Sequence, residues 1–210
     1  CVAPRVLGGA AEGEEARAAE WATYIAGVHA PTERAFYRAF RRLLRDQSHR
    51  YASRVERVLG DRVKEAVGAE GRAPLVLAGV EEDDLARILD DVAERAALKK
   101  ISQVEVRAAV KRAYERAAKQ IGAKGMPVFD PVVTDPATAR LIAELIKDVG
   151  DVTKSTVREV ITAGLDEGRT IGEIQEVLMG HPDFGASRAL RIARTETTRA
   201  VTSGARHAYR

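Results

Sequence analysis

Hydrophobic residues recur at helical spacing over residues 32 to 59, and this is the clearest pattern in the chain. They fall at intervals of three and four positions, which is the spacing of one side of an α-helix. Arginines occupy much of the remainder, so the pattern predicts a long amphipathic helix that Gly60 ends. The predicted buried positions are Phe36, Phe40, Leu43, Leu44, Gln47, Tyr51, Val55, Val58 and Leu59.

The arginines of this segment have two interpretations. They contact DNA or an acidic partner, or they form a solvated face that Glu33, Asp46, Glu56 and neighbouring helices neutralise. No aromatic residues are interleaved on the basic side, so base stacking is not indicated and the pattern favours the solvated face. These arginines are Arg34, Arg38, Arg41, Arg42, Arg45, Arg50, Arg54 and Arg57.

Similar spacing predicts helices on both sides of this segment. Residues 11 to 29 form a helix that Pro31 ends. A further helix covers residues 83 to 100, and Ser102 and Glu105 have the spacing of a capping box that opens the next one. The positions predicted to be buried in these last two helices are Leu85, Ile88, Leu89, Val92, Ala96, Val106, Val110, Tyr114, Ala117 and Ile121.

The sequence also predicts helices in the last third of the chain. Helices are predicted over residues 136 to 149 and 151 to 167, followed by a short helix that Thr170 and Glu173 open as a second capping box. A final helix follows with Ser187 as its N-cap. The sequence therefore predicts an all-α fold, a multi-helix bundle with an elongated N-terminal helical arm.

Residues 122 to 134 are the predicted internal boundary. This stretch is rich in proline and glycine but also contains apolar residues that need cover, so it is a candidate interaction loop. Those apolar residues are Met126, Val128 and Phe129. The boundary divides the chain into residues 1–121, a helical arm and connector, and a helical domain over residues 135–210.

The final helix, residues 187 to 210, has a stripe of small side chains. Such a stripe allows another helix to approach closely. The same helix holds six arginines and one glutamate, a net charge of +5, whereas the whole chain carries +3. The stripe consists of Ala189, Ala193, Thr197, Val201 and Gly204.

Within this helix, the run Ile192, Ala193, Arg194, Thr195 and Glu196, followed by small residues and Gly204, resembles the signature of the phage head morphogenesis family. That family is the Mu F-like minor capsid domain, which also occurs fused to the C-terminus of some phage portal proteins. The resemblance covers residues 135 to 210 and includes the segments that lead into the signature. These are the Val- and Thr-rich residues 151 to 165, the run from Glu167 to Ile171, and the loop at Phe184.

The resemblance implies a structural virion protein at the portal vertex. It would be either the C-terminal domain of a portal protein or a minor head protein that docks there, acting in head assembly and in DNA packaging or delivery. The implied partners are portal or capsid subunits in a homo-oligomeric ring, with non-specific contact to packaged DNA. Because the chain starts at Cys1 rather than at Met, the portal fusion is the preferred expectation.

The residue types that carry enzyme chemistry do not form a recognised pattern. Four scattered histidines and a single cysteine lack the spacing of a metal site, and no phosphate-binding loop or nucleophile elbow is present. The expectation is therefore a non-enzyme without cofactor, metal or membrane span. The alternative to the virion protein is a basic helical DNA-binding module without catalytic activity.

The charged residues of the signature lead to specific expectations about partners. Glu196 has Arg199 three residues later as a local partner, whereas Arg194 has no acid at helical spacing. Arg194 is therefore expected to reach a carboxylate or a helix C-terminal carbonyl on another element or on a neighbouring subunit, with Arg188 as the comparison. The alternative is an arginine in solvent. The candidate carboxylates are those of Asp148, Asp151, Glu159 and Asp166.

Overall fold

The computed structural model describes residues 16, 18–20, 22–70, 81–120, 122 and 136–208. Every regular element in these ranges is helical, which confirms the predicted all-α multi-helix bundle. A π-helical turn (Ile25–His29) leads into the helices, and a 3-10 turn (Pro182–Phe184) precedes the last one. The helices are α1 (Ala30–Glu70), α2 (Glu82–Ile88), α3 (Val92–Gln120), α4 (Pro136–Asp166), α5 (Ile171–Gly180) and α6 (Ala186–Ala208).

Helix α1 is longer than the sequence predicts at both ends. Pro31 does not end the preceding helix, because the wider π-helical turn just before it accommodates the proline ring, with the N–H of Ala30 donating to the carbonyl of Ile25. Gly60 does not end α1 either. A glycine inside a helix costs only about 1 kcal/mol, and packing of the fully buried Leu59 outweighs this.

The break between α2 and α3 lies ten residues earlier than expected. The chain leaves the helix around Leu89, and the Asp90 Oδ1 accepts a hydrogen bond from the N–H of Val92 at 3.2 Å. This break changes which side of the chain faces inward, so the predicted burial of Val92 and Ala96 is wrong. Ser102 is buried inside α3 and does not open a helix.

Helix α4 runs without a break through Gly150, where two separate helices were expected. Its threonines are compatible with the helix because their hydroxyls bond within it: Thr153 donates to the carbonyl of Val149 at 2.7 Å. The predicted Thr170–Glu173 capping box is complete. Gly122 follows α3 with φ of +67°. Helix α6 begins at Ala186, so the predicted N-cap Ser187 lies inside its first turn.

The two largest of four hydrophobic clusters formed by the described residues hold most of the helices together. The first joins the N-terminal half of α1, α3, the first half of α4, and α6. The second joins the later part of α1, α2, the second half of α4, α5 and the 3-10 turn. Helices from both sides of the predicted boundary share both clusters, so within the described ranges the boundary does not separate two cores. The candidate loop residues Met126, Val128 and Phe129 lie outside the described residues.

Helix α6 lies between α3 and α1, and its small stripe allows this position. A Cβ placed on Gly204 would lie 2.3 Å from the Val110 carbonyl oxygen and 2.8 Å from the Ala113 Cβ. Ala193 is fully buried on the same stripe. The close approach between helices that the stripe predicts is therefore present, and it brings α6 against the backbone of α3.

We expect Gly204→Ala to lower the free energy of unfolding by about 1–3 kcal/mol, because backbone atoms of α3 cannot give way cheaply. Ala193→Leu should act in the same direction. The matched control is Gly150→Ala in α4, which has no atom within 4 Å of the new Cβ and should stabilise by about 0.4–1 kcal/mol. Urea unfolding measures all three variants, and equal midpoints for Gly204→Ala and Gly150→Ala would contradict the packing argument.

Candidate interaction groove on the C-terminal helix

The signature residues divide between the two sides of α6. Ala193 and Gly204 face the core, and Ile192 is partly buried against the first hydrophobic cluster. Arg194 and Thr195 face outward and are exposed. The division follows from helical periodicity, because residues two positions apart, such as Ala193 and Thr195, lie on nearly opposite sides of the helix.

Glu196 is the buried acid of the signature, at 5% exposure. Its Oε1 accepts a hydrogen bond from the Arg199 Nη1 at 3.1 Å, so the predicted local pair is present. Burial raises the pKa of Glu196, the Arg199 guanidinium opposes this shift, and the nearby carboxylates of Asp148 and Glu144 add to it. Arg199 therefore partly compensates a carboxylate that packing has placed in an unfavourable environment.

Arg194 reaches an acid on another helix, but not one of the predicted acids. Its Nε lies 3.4 Å from the Glu33 Oε1 on α1. The Arg194 side chain is 66% exposed, so this pair is worth well under about 1 kcal/mol. The expected partners Asp148, Asp151, Glu159 and Asp166 are wrong, because Arg194 lies at the edge of α6 between α1 and the first turns of α4, and the acid it contacts there is Glu33.

Arg188 was expected only to serve as a comparison for Arg194. It is the buried arginine of α6, with 4% of its surface exposed. Its Nη2 donates to the Val149 carbonyl at 2.9 Å, and its Nη1 donates to the Asp183 carbonyl at 3.0 Å and to the Thr153 hydroxyl at 3.2 Å. Burial lowers the pKa of Arg188, and the Asp183 charge opposes this. Arg188 thus joins α4, the 3-10 turn and α6.

The sequence contains one signal that could have identified Arg188. It directly precedes Ala189, which belongs to the small stripe, and it comes four residues after the buried Phe184. That position is on the edge of the buried side of α6, where a long side chain can reach inward. The pattern does not show which acceptors lie there, because they belong to α4 and to the 3-10 turn.

The outward side of α6 and the first turns of α4 enclose an open groove of about 840 Å³. Its walls combine guanidinium groups with hydroxyl groups, and Glu144 is the carboxylate among the residues that line it. One of the arginines, Arg199, is held in place by the buried Glu196, whereas Arg194 is only weakly restrained by Glu33. The lining includes Arg140, Arg194, Thr195, Thr198, Arg199, Thr202, Ser203 and Arg206.

This groove suits the recognition of polar and anionic groups. Guanidinium and hydroxyl groups donate hydrogen bonds to carboxylate, carbonyl or phosphate oxygens. Among the residues that the structure describes, no group of His, Cys, Asp and Glu is arranged to hold a metal ion, and no helix is long and apolar enough to cross a membrane.

Comparison with known proteins gives no match: no protein-family model matches the chain, and no curated protein and no solved structure is similar to it.

We expect Arg188→Lys to destabilise the protein by about 1–3 kcal/mol, because one ammonium cannot reach three separated acceptors and the buried cation loses part of its hydrogen bonding. Arg194→Lys is the matched control on the same helix and should stay within about 0.5 kcal/mol of wild type. Chemical unfolding measures both. Equal effects of the two substitutions would show that the buried contacts of Arg188 contribute nothing specific.

The raised pKa of Glu196 predicts a pH dependence. The folded protein holds this proton more tightly than the unfolded chain, so the contribution of the carboxyl group to stability is greatest at low pH. That contribution falls as the pH rises from the unfolded pKa of about 4.3 through the higher folded pKa. Wild type should therefore lose stability relative to Glu196→Gln across this window. Unfolding curves between pH 4 and pH 8 test this, and a constant difference between the two proteins would contradict it.

Proposed function

We propose that this chain is a structural phage virion protein of the portal vertex, either the C-terminal domain of a portal protein or a minor head protein docked there. Its role would be in head assembly and in DNA packaging or delivery, within the virion. The observation that carries the proposal is the division of the signature on α6. Its small residues fix the helix in the core, while Arg194, Thr195 and Arg199 are presented in an open groove.

The groove has the properties of a docking site for another subunit. Arg199 is held by Glu196 of the same subunit, which lowers the conformational entropy that binding must remove. Its walls are polar, as expected of an interface that forms after each subunit has folded. Portal and capsid subunits are the proposed partners.

A ring is the assembly that this arrangement favours. A concave groove lined by several arginines does not complement a second copy of itself, so it would contact a different surface of the neighbour. Such a head-to-tail contact closes into a ring when the rotation between subunits permits. The proposed oligomer is therefore a homo-oligomeric ring, with or without a portal body attached.

Assembly of the full chain tests the proposal. Native mass spectrometry and negative-stain microscopy should show closed rings of one copy number. Thr202→Trp fills the groove and should reduce the assembled fraction at least about tenfold, since a buried clash of this size costs more than 1.4 kcal/mol.

Ala96→Trp, at an exposed position on α3, is the control and should assemble like wild type. A protein that remains monomeric at every concentration would contradict the ring. A monomer that binds DNA in a salt-sensitive manner would instead support the DNA-binding module.

A further inference from the structure

The exposed side of α1 carries a row of arginines, here named the arginine face. The five residues recur at intervals of three, four and seven along one side of the helix, opposite the buried phenylalanines. From first to last the row extends about 16 Å along the helix axis. The arginine face consists of Arg34, Arg38, Arg41, Arg42 and Arg45.

Two of the acids that were expected to neutralise these arginines, Glu33 and Glu56, contact other residues instead. Glu33 lies 3.4 Å from Arg194 on α6 and 3.8 Å from His29. Glu56 accepts a hydrogen bond from Gln175 on α5 at 3.2 Å. Glu33 and Glu56 therefore form no ion pair with the arginine face. A neighbouring helix does neutralise two other arginines of α1, because Glu94 on α3 pairs with Arg50 and Arg54.

Asp46 is the one acid that reaches the arginine face from the described part of the chain. It lies 3.9 Å from Arg42 and 3.8 Å from Arg45, both at the limit of an ion pair. The two arginine side chains are 80% and 69% exposed, so these contacts restrain them little. Arg34 and Arg38 form no ion pair with any described residue, which leaves most of the positive charge of the row uncompensated.

We propose that the arginine face binds the phosphate backbone of nucleic acid without sequence specificity. A continuous row of guanidinium groups on one rigid helix provides fork-shaped donors for phosphate oxygens at regular intervals. All five cations are arginine, the residue suited to bidentate phosphate contacts, and Arg41 is held 5.9 Å from the Tyr37 ring. This surface lies on α1 and does not depend on the groove of α6.

The composition of the face favours nucleic acid over an acidic protein. A protein partner that docks on a helix is usually anchored by apolar side chains. The exposed large hydrophobic residues of the described chain are Val92, Val104, Val152 and Met179, none of which is on α1. A ligand that needs only repeated negative charge fits such a surface. Duplex nucleic acid fits better than single-stranded nucleic acid, because no row of aromatic side chains is present on which unpaired bases could stack.

The test is fluorescence anisotropy of a labelled 30-base-pair duplex with the full chain at 50 to 300 mM salt. Wild type should bind at micromolar concentration at low salt. The triple variant Arg34→Gln, Arg38→Gln, Arg45→Gln should bind at least about tenfold more weakly, and its plot of log K against log salt should be shallower by about 0.9 for each lost contact. The corresponding triple lysine variant keeps the charge and should retain most of the slope.

The control removes the same charge elsewhere, through Arg87→Gln, Arg95→Gln and Arg158→Gln on α2, α3 and α4. It should bind within about twofold of wild type, whereas an equal loss would show that only net charge matters and would overturn the proposal. Absence of binding by wild type at 50 mM salt would also overturn it. Competition by polyglutamate as effective as by unlabelled duplex would assign the face to an acidic protein partner instead.

Discussion

The closeness of α6 to α3 is the constraint on which the rest of the bundle depends. The backbone of α3 at Val110 occupies the space where any residue other than glycine at position 204 would place its Cβ. Because α6 can approach so closely, it lies between α1 and α3 and contributes Ala189, Ala193 and Ala200 to the first hydrophobic cluster. Larger side chains on this stripe would move the helix outward and open that cluster.

Close packing of helices that are rich in charge requires the buried charges to be paired. Glu94, at 3% exposure, accepts hydrogen bonds from Arg50 at 2.8 and 2.7 Å and from Arg54 at 3.0 Å, which ties α1 to α3. Arg188 makes the equivalent tie between α4 and α6 with carbonyl acceptors. Removing one partner from such a set leaves a buried charge uncompensated, so these contacts fix which helices lie together more than they add net stability.

Two outward surfaces of the bundle differ in their chemical character. The groove beside α6 combines hydroxyl groups with arginines, one of which, Arg199, is held by the buried Glu196, and so suits a fixed protein contact. The arginine face of α1 has little internal compensation and suits a mobile polyanion. In the proposed ring, the groove would join subunits and the arginine face would contact DNA. The two proposed roles are physically independent because they use different helices.

What the sequence determines by itself is local. Helical periodicity, the Thr170–Glu173 capping box, the pairing of Glu196 with Arg199 and the small stripe all depend on residues within four positions of each other, and all are present in the structure. The tertiary structure decides what depends on neighbours distant in sequence. The chain passes through Gly60 and Gly150 as helix because packing outweighs weak helix propensity, and Arg194 pairs with Glu33 because α6 faces α1 there. Arg188 is buried because α4 and the 3-10 turn place three acceptors around it, and no local pattern encodes which helix lies against which.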